Sequence, residues 1–318
     1  MKSISFFSIL LLLPSLALAE GRIQSGMINA SALGVSKRFN IYLPDGYHKS
    51  DQRYPVIYLV HGWGVNEDSW RSPTLQIQQA ADELNLQAII VMPDGDRGVF
   101  VNSVTAADYQ ACIDKAAPVR NKHEPRESFC VHHADYESYM LEDIIPYIDR
   151  TYRTNSTRLA RAIVGESAGG LASFHLALRH KDLFSSVAAH SGAVSMLYQP
   201  QDGSMLTRIE PRPGFAEWEA MFGLNIEGWK QYDPYSLLNT LKPGELAIYF
   251  DSGTDDEFGF YQMALHFQQR LTELGLKHRF VSVPGGRHDD TFFGSRIPVS
   301  LTFFAEHFKQ HGVYPASE

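Results

Sequence analysis

The chain has 318 residues, with 36 acidic side chains against 28 Lys and Arg, for a formal charge of −8. That length buries a large core and suits one α/β domain. The acidic balance, with no basic cluster, excludes nucleic acid as a partner and gives no basic helix for an anionic membrane surface.

The N-terminus reads as a secretory signal peptide over residues 1–19. Lys2 is followed by an apolar run from Phe6 to Ala19, and Ala17-Leu18-Ala19 offers a small-x-small cleavage site before Glu20. Pro14 interrupts the run, which falls short of the roughly 20 residues of a membrane span. No cysteine follows the cleavage site, so a lipoprotein anchor is not indicated. The expectation is an exported protein, periplasmic or secreted, whose residues 20–318 form one catalytic domain with no membrane span.

Phe39 to Leu43 alternates and reads as an early, more exposed strand. Val56–Val60 and Ala88–Met92 are continuous apolar runs, as in strands buried on both faces of a parallel sheet. A polar insertion near residues 101–135 carries Cys112 and Cys130, the only cysteines. An oxidising compartment favours a disulfide between them. It would close a loop holding Pro118, Lys122, His123, Glu124 and Pro125. His123, His132 and His133 match no zinc spacing and read as surface histidines. Tyr136, Met140, Ile144, Ile148 and Tyr152 then mark one helix face, which Pro146 should kink.

The stretch Gly165-Glu166-Ser167-Ala168-Gly169 follows the apolar strand Arg161 to Val164. Leu171, Phe174 and Leu178 continue at helical spacing. A Gly-x-Ser-x-Gly between strand and helix is the nucleophile elbow of an α/β-hydrolase. The segment 193–233 holds Tyr198, Phe215, Trp218, Phe222 and Trp229 and reads as part of a pocket roof. Packing of an inserted helix accounts for these aromatics better than stacking on a sugar or phenolic acid.

A serine nucleophile needs a base and an orienting acid, which follow it in this fold. The strand Leu246–Phe250 leads to Asp251, Asp255, Asp256 and Glu257. A helical face of Ala264, Phe267, Leu271 and Leu274 ends at Gly275. His288 follows the strand Val281–Val283 and a Gly-rich turn, where the fold delivers its histidine. His266 and His307 lie in helical patterns, His278 precedes its strand, and His311 is near the end. The alternation defines a mostly parallel α/β sheet with helices on both faces.

Four segments resemble the esterase family of esterase D (S-formylglutathione hydrolase), bacterial feruloyl and acetyl xylan esterases, tributyrin esterases and mycolyltransferases. They are Leu59 to Gly64, Gly165 to Gly170, Asp251 to Asp256 and Gly285 to Asp289, and the similarity runs from about Phe39 to Phe308. The resemblance implies Asp256 as the acid, with Asp255 the competing choice, and His288 as the base. The chain departs from the family in the cysteine-bearing loop.

The expected chemistry is hydrolysis of carboxylic esters through an acyl-enzyme on Ser167. Backbone amides of Ala168 and Trp63 are the expected oxyanion donors. No metal or organic cofactor is required. The expected partner is a small-molecule or carbohydrate-linked ester. Two other readings stay open: an acyltransferase using the same residues, and a non-catalytic carbohydrate-binding relative.

Overall fold

The computed structural model describes residues 21–114, 126–211 and 216–315. The expected signal peptide, Phe215 and the loop residues from Pro118 to Pro125 lie outside them.

Eight strands form one sheet. They are β1 (Arg22–Ala30), β2 (Val35–Leu43), β3 (Val56–Val60), β4 (Ile89–Pro93), β5 (Arg161–Glu166), β6 (Ser186–His190), β7 (Ala247–Gly253) and β8 (Arg279–Val283). Their spatial order is β1-β2-β4-β3-β5-β6-β7-β8. β1–β2 and β2–β4 are antiparallel. Every other neighbouring pair is parallel.

The helices are α1 (Ile77–Glu83), α2 (Tyr109–Asp114), α3 (Tyr136–Ser138), α4 (Ile145–Thr151), α5 (Ala168–Arg179), α6 (Ala216–Phe222), α7 (Ile226–Lys230), α8 (Pro234–Leu237), α9 (Phe260–Glu273) and α10 (Asp290–Gln310). Strand side chains alternate between two cores. Val56, Tyr58 and Val60 pack with residues of α5 and α9, while Ile57 and Leu59 face α1 and α10. Both faces of β3 are therefore dry, which is why its sequence is apolar throughout.

One expectation is corrected. Phe39 to Leu43 is fully buried rather than exposed. β1 and β4 flank it, and its polar atoms are satisfied: Asn40 donates to the Glu67 carbonyl and Asp68, and the Tyr42 hydroxyl donates to Asp82. Pro146 gives a change of helix type. A π-helical stretch, Tyr139–Ile144, joins α3 to α4, whose first turn holds Pro146. The backbone stays helical through Ile144 and Ile145, so Pro146 lies inside a continuous run, and its missing N–H falls where the wider π turns give way to α turns.

Candidate active site

β5 ends in the elbow and α5 begins one residue later. Ser167 sits at φ 53°, ψ −122°, a left-handed φ that costs a non-glycine residue roughly 1–3 kcal/mol. Backbone bonds hold it there. Its N–H donates to the His190 carbonyl, and its own carbonyl accepts from Gly170 and Ala193. The surrounding backbones touch. A Cβ on Gly165 would lie 2.4 Å from the Gly169 carbonyl oxygen, and one on Gly169 would lie 2.4 Å from that of Val60.

His288 is delivered by the loop between β8 and α10. Its Nε2 lies 2.9 Å from Ser167 Oγ and its Nδ1 lies 2.8 Å from Asp256 Oδ2. The other Asp256 oxygen accepts from the Phe258 amide at 3.0 Å. Rings of Phe258, Phe260 and Phe293 surround the imidazole at centroid distances of 4.8–5.1 Å. The two loops that carry Asp256 and His288 are in contact, since a Cβ on Gly253 would strike the Gly286 carbonyl. The structure thus brings Ser167, His288 and Asp256 into one hydrogen-bonded chain.

The alternatives are placed elsewhere. Asp255 is exposed and accepts from Thr254. Glu257 is exposed, pairs with Arg287 and accepts from the His288 amide. Asp251 is buried against His190, Arg296 and Tyr249. His266 is stacked between Tyr198 and Tyr235. His278 bonds the Leu276 carbonyl before β8, and His307 bonds Ser185.

Over the elbow lies a separate apolar cluster. Ala168 and Leu171 pack there with Leu197, Met221, Phe222 and Trp229. Trp63 stacks on Trp218 at 5.0 Å, and Trp218 on Phe222 and Trp229. The Arg97 guanidinium lies over the Trp63 ring and pairs with Glu217. Trp63, Trp218, Phe222 and Trp229 thus pack on one another, while Tyr198 stacks on His266.

Sequence reasoning named Glu166 and Gly62 in their segments but missed the bond between them. The Gly62 amide donates to Glu166 Oε1 at 2.9 Å inside the protein. Burial pushes the Glu166 carboxyl up to about 7, against the downward pull of the Gly62 amide and of His288. A glutamate inside the elbow was visible in the sequence; its bond to a glycine over a hundred residues away was not.

The disulfide Cys112–Cys130 is formed, with Cα atoms 5.7 Å apart. Cys112, Arg126 and Phe129 line a cavity of about 450 Å³ shared with Arg97 and Glu217. Among the described residues, no helix is long and apolar enough to cross a membrane.

The strand order and the elbow define an α/β-hydrolase fold. Residues 30–304 match the family described as "Putative esterase", and the chain belongs to that family. It is 30% identical over 166 residues to an esterase of Mycobacterium tuberculosis, covering 52% of this chain and 31% of that protein. It is 27% identical over 195 residues to an endo-1,4-beta-xylanase/feruloyl esterase of Xylanibacter ruminicola, covering 58% and 23%. The chain thus spans under a third of the length of these relatives. A ferulic acid esterase structure aligns with TM-score 0.67 at 20% identity, covering 91% of this chain and 99% of its own. An S-formylglutathione hydrolase from Agrobacterium tumefaciens aligns with TM-score 0.69 at 18% identity, covering 93% and 98%. Both likenesses show the fold.

Proposed function

We propose that the chain is an exported serine esterase that hydrolyses carboxylic esters through Ser167, His288 and Asp256. The observation that carries this reading is the continuous bond chain Ser167–His288–Asp256, at 2.9 and 2.8 Å, beside a strained serine. Ser167 Oγ attacks the ester carbonyl while His288 Nε2 takes its proton. The tetrahedral intermediate collapses, His288 returns the proton to the leaving alcohol, and an acyl-enzyme remains. Water, activated by His288, then releases the acid. Asp256 accepts a hydrogen bond from His288 Nδ1–H and stays ionised, which fixes the tautomer and stabilises the imidazolium. Amides of Ala168 and Trp63 stabilise the oxyanion.

Export is supported by the disulfide and by the signal-like N-terminus. The relative named as a feruloyl esterase supports esters of small acids, feruloyl esters among them, as substrates. The test is a chromogenic ester panel varied in acyl length, with feruloyl and acetyl-sugar esters included. Turnover by the native chain and none by Ser167→Ala is the expected result. Acyl transfer to an added alcohol in preference to water would move the reading to an acyltransferase. No turnover of any ester would sink both.

A further inference from the structure

The turn that follows β3 is held at three points. His61 Nε2 accepts from the Gly95 amide at 3.0 Å. That leaves its Nδ1 to carry the proton and donate to the Gly62 carbonyl, 2.9 Å away. The Gly62 amide donates to Glu166 Oε1 at 2.9 Å. Both polar groups of Gly62 are therefore engaged. The Gly62 carbonyl and the Trp63 N–H belong to one planar trans peptide and point in opposite directions. Fixing the carbonyl on His61 aims the Trp63 N–H the other way. The turn also rides directly on the elbow, since a Cβ on Gly62 would lie 2.9 Å from Glu166 Oε1 and 3.4 Å from Ser167 Cβ.

We propose that Glu166 is a positioning residue for the oxyanion site, its carboxyl clamping the Gly62 amide so that the Trp63 amide is held toward the carbonyl attacked by Ser167. This rests on the reading of Ser167 as the esterase nucleophile. Glu166 is buried, adjacent in the chain to that serine, and bonded to the opposite wall of the site. It moves with the elbow, so nucleophile and oxyanion donor stay in register. An acceptor atom is what the clamp needs; a charge is not.

The experiment compares Glu166→Gln, which keeps the acceptor, with Glu166→Met, which keeps the size and loses it. Steady-state kinetics and the rate of fluorophosphonate labelling are the readouts. The Gln variant is expected within about threefold of wild type. The Met variant is expected to lose roughly 10- to 100-fold in kcat with little change in KM, somewhat less than outright loss of an oxyanion donor. Its labelling rate should fall by a similar factor. Glu166→Asp draws the carboxyl back by one methylene and should fall likewise; it serves if the Met variant does not fold. Gln as slow as Met, or Met and Asp as fast as wild type, would overturn the clamp. Ser167→Ala in the same assays tests the underlying reading, because turnover there would overturn the nucleophile and not merely the clamp.

Discussion

Ser300 Oγ lies 2.9 Å from Nε2 of His190, the same distance that separates Ser167 from His288. His190 Nδ1 in turn contacts Asp251 at 3.0 Å. The protein thus holds a second Ser-His-Asp arrangement, and all three of its members are buried. Ser300 lies inside α10 and donates to the Ile297 carbonyl. It has neither access to substrate nor the strained backbone of Ser167. A fluorophosphonate probe is therefore expected to label Ser167 and leave Ser300 untouched. Peptide mapping by mass spectrometry checks this, and a label on Ser300 would reverse the assignment.

Asp256 and Asp255 are adjacent in sequence and opposite in exposure. Asp256→Asn should cut kcat by about 10³- to 10⁴-fold, because the amide stabilises the wrong imidazole tautomer. Asp255→Asn should change it by less than about twofold. The decisive measurement is kcat for the two variants side by side, and a larger loss at Asp255 would exclude the proposed acid.

His175 couples stability to acid. Burial holds its imidazole down at about 4, against the upward pull of the Val99 carbonyl that Nε2 contacts. The folded protein binds this proton less readily than the unfolded chain. Its neutral form is tolerated fully above pH 6.5, and stability is lost as pH falls from there towards 4. The loss amounts to about 3 kcal/mol for a shift of this size. His175→Gln keeps a donor for Val99 and removes the titration. Urea unfolding at pH 4 and pH 7 should show a smaller acid loss in the variant. Equal losses would assign the acid sensitivity elsewhere.

The disulfide closes a loop of 18-residue separation, a constraint of about 3 kcal/mol on the unfolded chain. Reduction should lower Tm by only a few degrees. The larger effect is expected on substrate choice, because Cys112 lines one cavity with Arg97, whose guanidinium lies over the Trp63 ring of the turn beside Ser167. Rates on esters of bulky alcohols should change several-fold while those on small ones hold. Parallel assays with and without dithiothreitol check the difference. Intact mass should rise by about 2 Da on reduction, for the two hydrogens gained.

Strands buried on both faces were legible because their periodicity is overwhelmed by apolar content, as in Val56–Val60. β6 was not, since Ser186, Ala188, Ala189 and His190 are small or polar. Its glycine-edged neighbour α5 leaves room only for small residues there: Ala189 Cβ would lie 3.1 Å from a Cβ on Gly170. β1 was missed as an edge strand with Met27 largely exposed. Ser167 and His288 could be read from local context, one in a turn and one after a strand. The choice of Asp256 leaned on resemblance, because the packing of two loops through Gly253 and Gly286 leaves no mark in one strand's pattern.

The glycines around Ser167 answer to backbone clearance. Gly165 and Gly169 have carbonyl oxygens where a methyl would go, and a Cβ on Gly170 would lie 2.6 Å from the Cα of Gly192. None of these contacts involves Ser167 Oγ, His288 or Asp256. A descendant that lost its chemistry but kept its fold would still carry the glycine frame, since losing it would part the strand from its helix. On the proposed mechanism, such a pseudoenzyme would show itself at Glu166 and Ser167 within the motif and at two positions about ninety and one hundred and twenty residues further on, where selection acts on reactivity rather than on space.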